Sequence, residues 1–222
     1  MNNNTKRFVA IIGIGLALVM PVNRAFSNDN SALFAGLSAE WLQWALSIPA
    51  SVNPQTDPTG DFAAVGQRGP IWFLAGKFGG GTATRSCSVP QGTALFFPVI
   101  NGFSINAPVC GGPPESVSDV RKDAADQIAG AANLSVTLDG VAIKIPPRVP
   151  STVFAAAVPK DNIFGLPCLL PGIYSPAAGD GFYVLLAPPS LGNYALHFHA
   201  DNPPNPSQDV TYNLTVVHVI KQ

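Results

Sequence analysis

The stretch Tyr194–Asp201 reads Tyr-Ala-Leu-His-Phe-His-Ala-Asp and alternates apolar with polar side chains. Successive side chains of a β-strand point to opposite faces of the sheet. Leu196 and Phe198 therefore face a predicted core. The opposite face carries three polar side chains, namely His197, His199 and Asp201. A strand that is apolar on one side and polar on the other predicts a sheet with one face in solvent.

Further segments on both sides of this stretch carry strand signals. Asn133–Leu138 and Val141–Ile145 are separated by Asp139-Gly140, which predicts a two-residue hairpin with a type I′ turn. The other predicted strands are separated by Gly, Pro, Asn and Asp clusters, and they are Pro70–Gly76, Thr82–Val89, Thr93–Ile100, Thr152–Val158, Gly181–Ala187 and Asp209–Ile220. Strands at these intervals predict a β-sandwich.

Two short helices accompany the strands. Ser38–Ser47 begins with a good N-cap residue, and Glu115–Gly130 contains Ser116 and Asp119 at capping-box spacing. We expect a mostly β protein: an antiparallel β-sandwich, immunoglobulin-like in its C-terminal half, with these two accessory helices. One such domain is predicted over residues 28–222.

The composition excludes several classes of protein. The chain has 222 residues, 11% charged and 47% hydrophobic, with 21 Gly and 22 Pro. Coiled coils and helical bundles need more helix formers, and charged disordered chains need more charge. A net charge of −1 gives no basic surplus for nucleic acid.

The N-terminus predicts a signal peptide over residues 1–27. Lys6 and Arg7 precede an uncharged apolar run, Phe8–Met20, and Ala25 and Ser27 are small residues at the cleavage positions. The run is shorter than the roughly 20 residues that a spanning helix needs. We expect a periplasmic or secreted protein with no membrane span in the mature chain.

Export permits disulfide bonds, and three cysteines leave at least one thiol over. Cys110 and Cys168 both lie in Pro/Gly-rich loops, whereas Cys87 lies in a predicted strand. We predict a Cys110–Cys168 disulfide. The alternatives are that Cys87 pairs with one of these two or that it stays free.

Three tryptophans are candidate ligand-binding residues: Trp41, Trp44 and Trp72. Trp41 and Trp44 lie on one helical stripe and could stack on sugar rings. The alternative is that the stripe packs the helix against a sheet.

The polar face of Tyr194–Asp201 is a candidate metal site. Imidazoles at alternate positions can bind one ion, with Asp201 as a third ligand beside His197 and His199. Zinc or copper would suit these donors. The alternative is that they are ordinary polar residues on a sheet surface.

Two further features have both a chemical and a structural interpretation. Asp57, Asp61 and Glu115 are candidate acid–base residues, although the segment around Asp57 and Asp61 also has ordinary turn chemistry. The triplet Gly79–Gly81 lacks the helix or Lys-Ser/Thr pair of a phosphate loop, and it predicts a hairpin tip.

Four blocks of sequence resemble one family. They are Trp41–Trp44 (WLQW), Gly66–Gly76 (GQRGPIWFLAG), Ala94–Asn101 (ALFFPVIN) and Asp209–Val216 (DVTYNLTV). These blocks are similar to those of a family of exported bacterial proteins of unknown function. The resemblance implies that relatives carry a cysteine near Ala64 that pairs with Cys87, so this chain has lost one partner. It implies no catalytic residues.

Three functional hypotheses follow. The first is a non-catalytic binding or envelope-associated module that contacts a small molecule or a polysaccharide. The second is a metal-binding protein or metalloenzyme that uses His197, His199 and Asp201. The third is a hydrolase or lyase with a carboxylate pair. The sequence leaves open whether the protein is an enzyme, which residues would be catalytic and which ligand it takes.

Overall fold

The computed structural model describes residues 30–218, so the predicted signal peptide lies outside the described residues. The helices and strands follow in chain order: α1 (Ser31–Ser47), β1 (Ile71–Phe73), β2 (Gly81–Pro90), β3 (Ala94–Ile105), α2 (Val117–Asp126), β4 (Ala132–Leu138), β5 (Val141–Ala142), β6 (Val149–Pro150), β7 (Phe154–Val158), β8 (Gly172–Leu186), β9 (Gly192–Asn202) and β10 (Asn205–Val217). The protein is therefore mostly β with two accessory helices, as predicted.

The strands form two five-stranded sheets that pack as a β-sandwich. Sheet A has the order β1-β3-β8-β6, and β7 also pairs with β8. Sheet B has the order β2-β10-β9-β4-β5. Neighbouring strands are antiparallel except for β1 with β3 and β2 with β10, which are parallel.

The core between the sheets follows the predicted alternation. Leu196 and Phe198 of β9 are fully buried, and the Phe198 ring stacks on Phe97 of β3 with 5.0 Å between centroids. Burial of large apolar side chains contributes about 1.5–3 kcal/mol each. This interface between β9 and β3 therefore holds the two sheets together.

Helix α1 covers the outer face of sheet A and starts two turns before the predicted Ser38. The earlier start buries Phe34 and Leu37, while Ser38 lies inside the helix and donates its hydroxyl to Ala35 O at 3.0 Å. The prediction of Ser38 as the N-cap was wrong because the residues before it have apolar partners on the sheet.

The predicted turn and cap chemistry is confirmed. Asp139 and Gly140 both have positive φ angles, of 50° and 77°, as a type I′ turn requires. In α2 the Ser116 hydroxyl accepts from the Asp119 amide, and the Asp119 carboxylate accepts from the Ser116 amide. The helix ends at Asp126, and turns continue to Gly130.

The predicted hairpin tip at Gly79–Gly81 was wrong. Strand β1 belongs to sheet A and β2 belongs to sheet B, so the segment between them crosses from one sheet to the other. A Cβ on Gly80 would lie 2.9 Å from Pro206 Cβ, and Gly80 has a φ of 77°. Glycine therefore lets the crossing segment pass close to the β9–β10 turn.

The predicted disulfide is confirmed. Cys110 and Cys168 are bonded across a sequence separation of 58 residues, and Cys87 is unpaired. Within residues 30–218, no helix is long and apolar enough to cross a bilayer.

Candidate ligand-binding site

The three predicted ligand-binding tryptophans lie in the core. Trp41, Trp44 and Trp72 have only 1%, 7% and 8% of their surface exposed. The Trp41 indole donates to Leu74 O at 3.0 Å, and the Trp44 indole donates to Val65 O at 2.9 Å. The two helical tryptophans therefore fix α1 to sheet A and its loops, and none of the three offers a ring to a ligand.

The predicted metal ligands share the outer face of sheet B, where they form one network with Asp209, which lies 3.5 Å from His199 Nδ1 through its Oδ2. His197 Nε2 lies 2.9 Å from Asp209 Oδ1, and His199 Nε2 lies 3.2 Å from Asp201 Oδ1. Hydrogen bonds from Asn133 and Ser207 hold the pKa of Asp201 below its ordinary value. Across residues 30–218, no three His, Cys, Asp or Glu side chains are grouped to hold an ion. The zinc or copper site predicted at His197, His199 and Asp201 therefore lacks a ligand set.

His218 also differs from its predicted position. In the predicted strand Asp209–Ile220, alternation places His218 on the same face as Val210, Tyr212 and Leu214, and Ile220 itself lies outside the described residues. Strand β10 ends at Val217, and His218 is exposed beyond it.

Asp57 has the turn role that its sequence context indicates. Its carboxylate accepts from the Thr59 and Phe62 amides, both at 2.8 Å, and Thr59 Oγ1 also donates to Asp61. Burial works to raise the pKa of Asp57, but these hydrogen bonds prevail and lower it. For Glu115, partial burial and Asp123 raise the pKa.

Cys87 is half-buried against the core between the sheets. Burial raises its pKa to about 12, against a weaker opposing effect of the Arg85 charge. Since the thiolate is the nucleophile, the protonated thiol of Cys87 is unreactive at neutral pH.

A cavity of about 420 Å³ opens at one end of the sandwich, and we call it the end cavity. It lies between the crossing segment 76–80, the middle of β3, the residues after α2 and the β9–β10 turn. Ligand sites in proteins have volumes of about 300–1,000 Å³. The end cavity therefore has the size of a small-molecule site.

One wall of the end cavity is rich in side-chain amides. Six of them line it: Gln55, Asn101, Gln127, Asn202, Asn205 and Gln208. Gln208 accepts from the Lys77 amide at 2.7 Å and donates to Val99 O at 2.8 Å, so it joins sheet B to the crossing segment and to sheet A. Gln127 bonds the main chain of Phe103 through both its oxygen and its nitrogen. These two amides are fixed in place by the fold.

Other amides in this wall keep hydrogen-bonding capacity. Asn202 and Asn205 both donate to Gln127 O, at 2.9 and 3.1 Å. Asn202 is 5% exposed, and its Oδ1 is buried with no donor among the described residues. An unsatisfied buried acceptor costs about 1–3 kcal/mol, which a ligand or water with a donor would offset. The Gln55 amide makes no side-chain hydrogen bond within residues 30–218.

Three phenylalanines form part of the apolar lining of the end cavity, together with Ile100, Ile128 and Pro206. Phe164 contacts Phe78 and Phe103, with ring centroids 6.0 and 5.9 Å apart. All three rings are half-buried, so each keeps some surface open. Side-chain amides and aromatic rings therefore line the same cavity.

Comparisons with known proteins identify no relative. No protein-family model matches this chain, and no curated protein matches it. Among solved structures, the solution structure of Amebosin aligns with 61% of this chain and 96% of its own length, at 10% identity. The TM-score of this alignment is 0.21.

The end cavity could not be predicted from the sequence because its residues come from distant segments. Gln55, Asn101, Gln127 and Gln208 share no motif, and they meet only once both sheets have formed. One local signal was present. The clusters Lys77–Gly81 and Asn202–Gln208 are both rich in Gly, Pro, Asn or Gln, and loops of that composition are frequent in binding sites.

Proposed function

We propose that this protein is a non-catalytic binding module that holds a saccharide in the end cavity. The observation that carries the proposal is the pairing of six amides with three phenylalanine rings around one space of about 420 Å³. Amides offer both donors and acceptors, as sugar hydroxyls do. Aromatic rings favour the apolar face of the sugar.

The chemistry of the lining supports binding over catalysis. The described residues around the end cavity include no Asp, Glu, His, Cys, Ser, Thr or Tyr. Glycoside hydrolysis uses two carboxyl groups that flank the bond to be broken. A site built of amides and phenyl rings supplies contacts for a sugar without the acid and base that this reaction needs.

The proposed location is the periplasm or the cell exterior, after removal of residues 1–27. The disulfide between Cys110 and Cys168 supports an oxidising compartment. For the C-terminal half we propose immunoglobulin-like character, supported by the antiparallel strands β9 and β10 in a packed sandwich.

Isothermal titration calorimetry with a panel of mono- and disaccharides tests this proposal. We expect at least one sugar to bind, with a Kd in the millimolar to micromolar range. In Gln55→Leu the affinity should fall by up to tenfold, because one or two hydrogen bonds to the ligand are lost. Gln91→Leu, at an exposed turn between β2 and β3, is the matched control and should bind as the wild type does.

Two results would contradict the proposal. The first is the absence of heat with every sugar at millimolar concentration. The second is an equal loss of affinity in Gln55→Leu and Gln91→Leu, because that would separate binding from the end cavity. Phe164→Leu adds a second check: it removes a ring from the cavity while keeping an apolar side chain, and we expect weaker sugar binding with native circular dichroism.

A further inference from the structure

The end cavity has a single charged lining residue, Lys77. Its side chain is half-buried and lies beside Gly81, where a Cβ would be 3.5 Å from Nζ. Within residues 30–218, Lys77 Nζ has no carboxylate oxygen within 4 Å and no hydrogen-bond partner. By contrast, Lys122 and Arg148 pair with Asp126 and Asp180. Lys77 therefore lines the cavity and carries a positive charge that no described carboxylate neutralises at short range.

A second positive charge lies behind the same wall. Arg85 of β2 is 1% exposed, and its Nη1 donates to Ala75 O at 2.6 Å and to Gly76 O at 3.1 Å. Nη1 also donates to the Tyr212 hydroxyl at 2.9 Å, and Nε donates to Asp57 O at 2.7 Å. Every one of these acceptors is neutral, and no described carboxylate oxygen lies within 4 Å of the guanidinium.

Gly76 connects the two charges. It lines the end cavity, it accepts a hydrogen bond from Arg85, and it directly precedes Lys77. A charge in a poorly solvated interior acts over a longer distance than one in water. Lys77 is therefore the cation that lines the cavity, whereas Arg85 lies buried behind it with the Asp57 carboxylate close enough to oppose its charge.

We infer that the ligand of the end cavity is a monoanionic saccharide of the uronic acid class, with its carboxylate at Lys77. This inference rests on the saccharide-binding function proposed above. The amides then bind the hydroxyl groups, and the rings of Phe78, Phe103 and Phe164 contact the C–H face.

The lining residues also argue against other anions. An amino acid carries an ammonium group, and the described lining offers no carboxylate to pair with it. Phosphate esters carry up to two charges and are frequently bound by arginine in a bidentate manner, whereas Arg85 is fully buried and its donors are occupied. The single ammonium group of Lys77 matches one carboxylate.

The test compares acidic and neutral sugars on the whole mature protein by titration calorimetry. Glucuronate and galacturonate should bind about tenfold more tightly than glucose and galactose, equivalent to about 1.4 kcal/mol. This preference should shrink with added salt, since salt screens the charge. In Lys77→Met the preference should disappear while the affinity for neutral sugars changes less than twofold. Lys160→Met, at an exposed position, is the matched control.

Each outcome separates the two proposals. Equal binding of acidic and neutral sugars, or an unchanged preference in Lys77→Met, would overturn the uronate inference and leave saccharide binding intact. Failure of every sugar to bind would overturn both. If acetate binds as tightly as galacturonate, the site recognises the carboxylate alone. That result would overturn the inference that the ligand is a saccharide.

A further titration with digalacturonate distinguishes an acidic polysaccharide from a free sugar acid as the source of the ligand. Tighter binding of the dimer than of galacturonate identifies an acidic polysaccharide, and equal binding identifies the free sugar acid. Both results support the inference. Circular dichroism and thermal melting of Lys77→Met, expected to match the wild type, confirm that the variant is folded.

Discussion

The outer faces of the two sheets differ in what lies on them. Helix α1 packs on the outer side of sheet A, where its Phe34 ring lies 5.9 Å from Phe96 of β3, and residues 95–100 of β3 are all buried. The outer face of sheet B carries short polar side chains, which include Thr82, Thr84, Thr211 and Asn213. Both sheets bury their inner faces in one core. The difference shows that the partner of the outer face decides whether a strand's sequence alternates or is continuously apolar.

The largest expected effect comes from removing a side chain that attaches α1 to sheet A. Trp41→Ala should lower the free energy of unfolding by about 3–5 kcal/mol, because a fully buried indole and its hydrogen bond to Leu74 O are lost. Thr211→Ala on the outer face of sheet B should stay within about 0.5 kcal/mol. Urea denaturation followed by circular dichroism measures both. Similar values for the two variants would contradict the covered–uncovered distinction.

The next effect concerns the charged residue on the inner face of sheet B. Arg85→Met should lower the free energy of unfolding by about 3 kcal/mol, since Asp57 O, Ala75 O and Gly76 O lose a charged donor. The exposed Arg68→Met is the control and should change the free energy by less than about 0.5 kcal/mol. Chemical denaturation again gives both values. An unchanged free energy of unfolding in Arg85→Met would mean that the crossing segment does not depend on this side chain.

A smaller, pH-dependent effect is expected in the loop beneath Arg85. Asp57→Asn should cost about 1–2 kcal/mol at pH 7, because an amide nitrogen cannot accept from the Phe62 amide. The folded protein lowers the pKa of Asp57 below its ordinary value of 3.8. The contribution of the carboxylate is therefore complete above pH 4 and is lost as the pH falls through the lower, folded-state pKa.

Denaturant melts of wild type and Asp57→Asn between neutral pH and pH 2 check this behaviour. The stability difference should shrink only on the acidic side. Asp61→Asn, which loses a single exposed contact with Thr59, serves as the control and should show little difference at any pH. A stability gap between wild type and Asp57→Asn that persists unchanged at low pH would argue against the carboxylate as its origin.

The last prediction concerns the reactivity of the Cys87 thiol, which lies on the inner face of sheet B. With a pKa of about 12, Cys87 should react with iodoacetamide at pH 8 more than a hundredfold more slowly than an unfolded thiol of ordinary pKa. Mass spectrometry of native and urea-unfolded protein measures the ratio. Equal rates would mean that the inner face at Cys87 is open to solvent.

Most of the fold could be predicted from local patterns. The alternation at Leu196 and Phe198, the Asp139-Gly140 turn and the Ser116–Asp119 cap are properties of neighbouring residues, and each was confirmed. The disulfide was predicted from loop context alone. The predictions failed where contacts with residues distant in sequence determine the local structure. The start of α1 depends on its contacts with sheet A, and the path of Gly79–Gly81 depends on which sheet each flanking strand joins.

The candidate site was beyond the reach of pattern recognition for a related reason. Tryptophans and histidines draw attention in a sequence because they often bind ligands, yet here Trp41 and Trp44 hold α1 in place and His197 pairs with Asp209. Asparagine and glutamine attract little attention, since most lie in ordinary turns. Several such amides form a candidate binding site only because the fold places them around the end cavity.

The position of β10 has a consequence for the order of assembly. It is the last strand within residues 30–218, and it lies in sheet B between β2 and β9, which precede it. Gly81 faces Gln208 across this pairing, so the register joins residues more than half the chain apart. Until β10 is in place, β2 and β9 each present an unpaired edge, and both sheet B and the end cavity are incomplete. Sheet B can therefore close only after β10 has been synthesised and has paired with both of its neighbours.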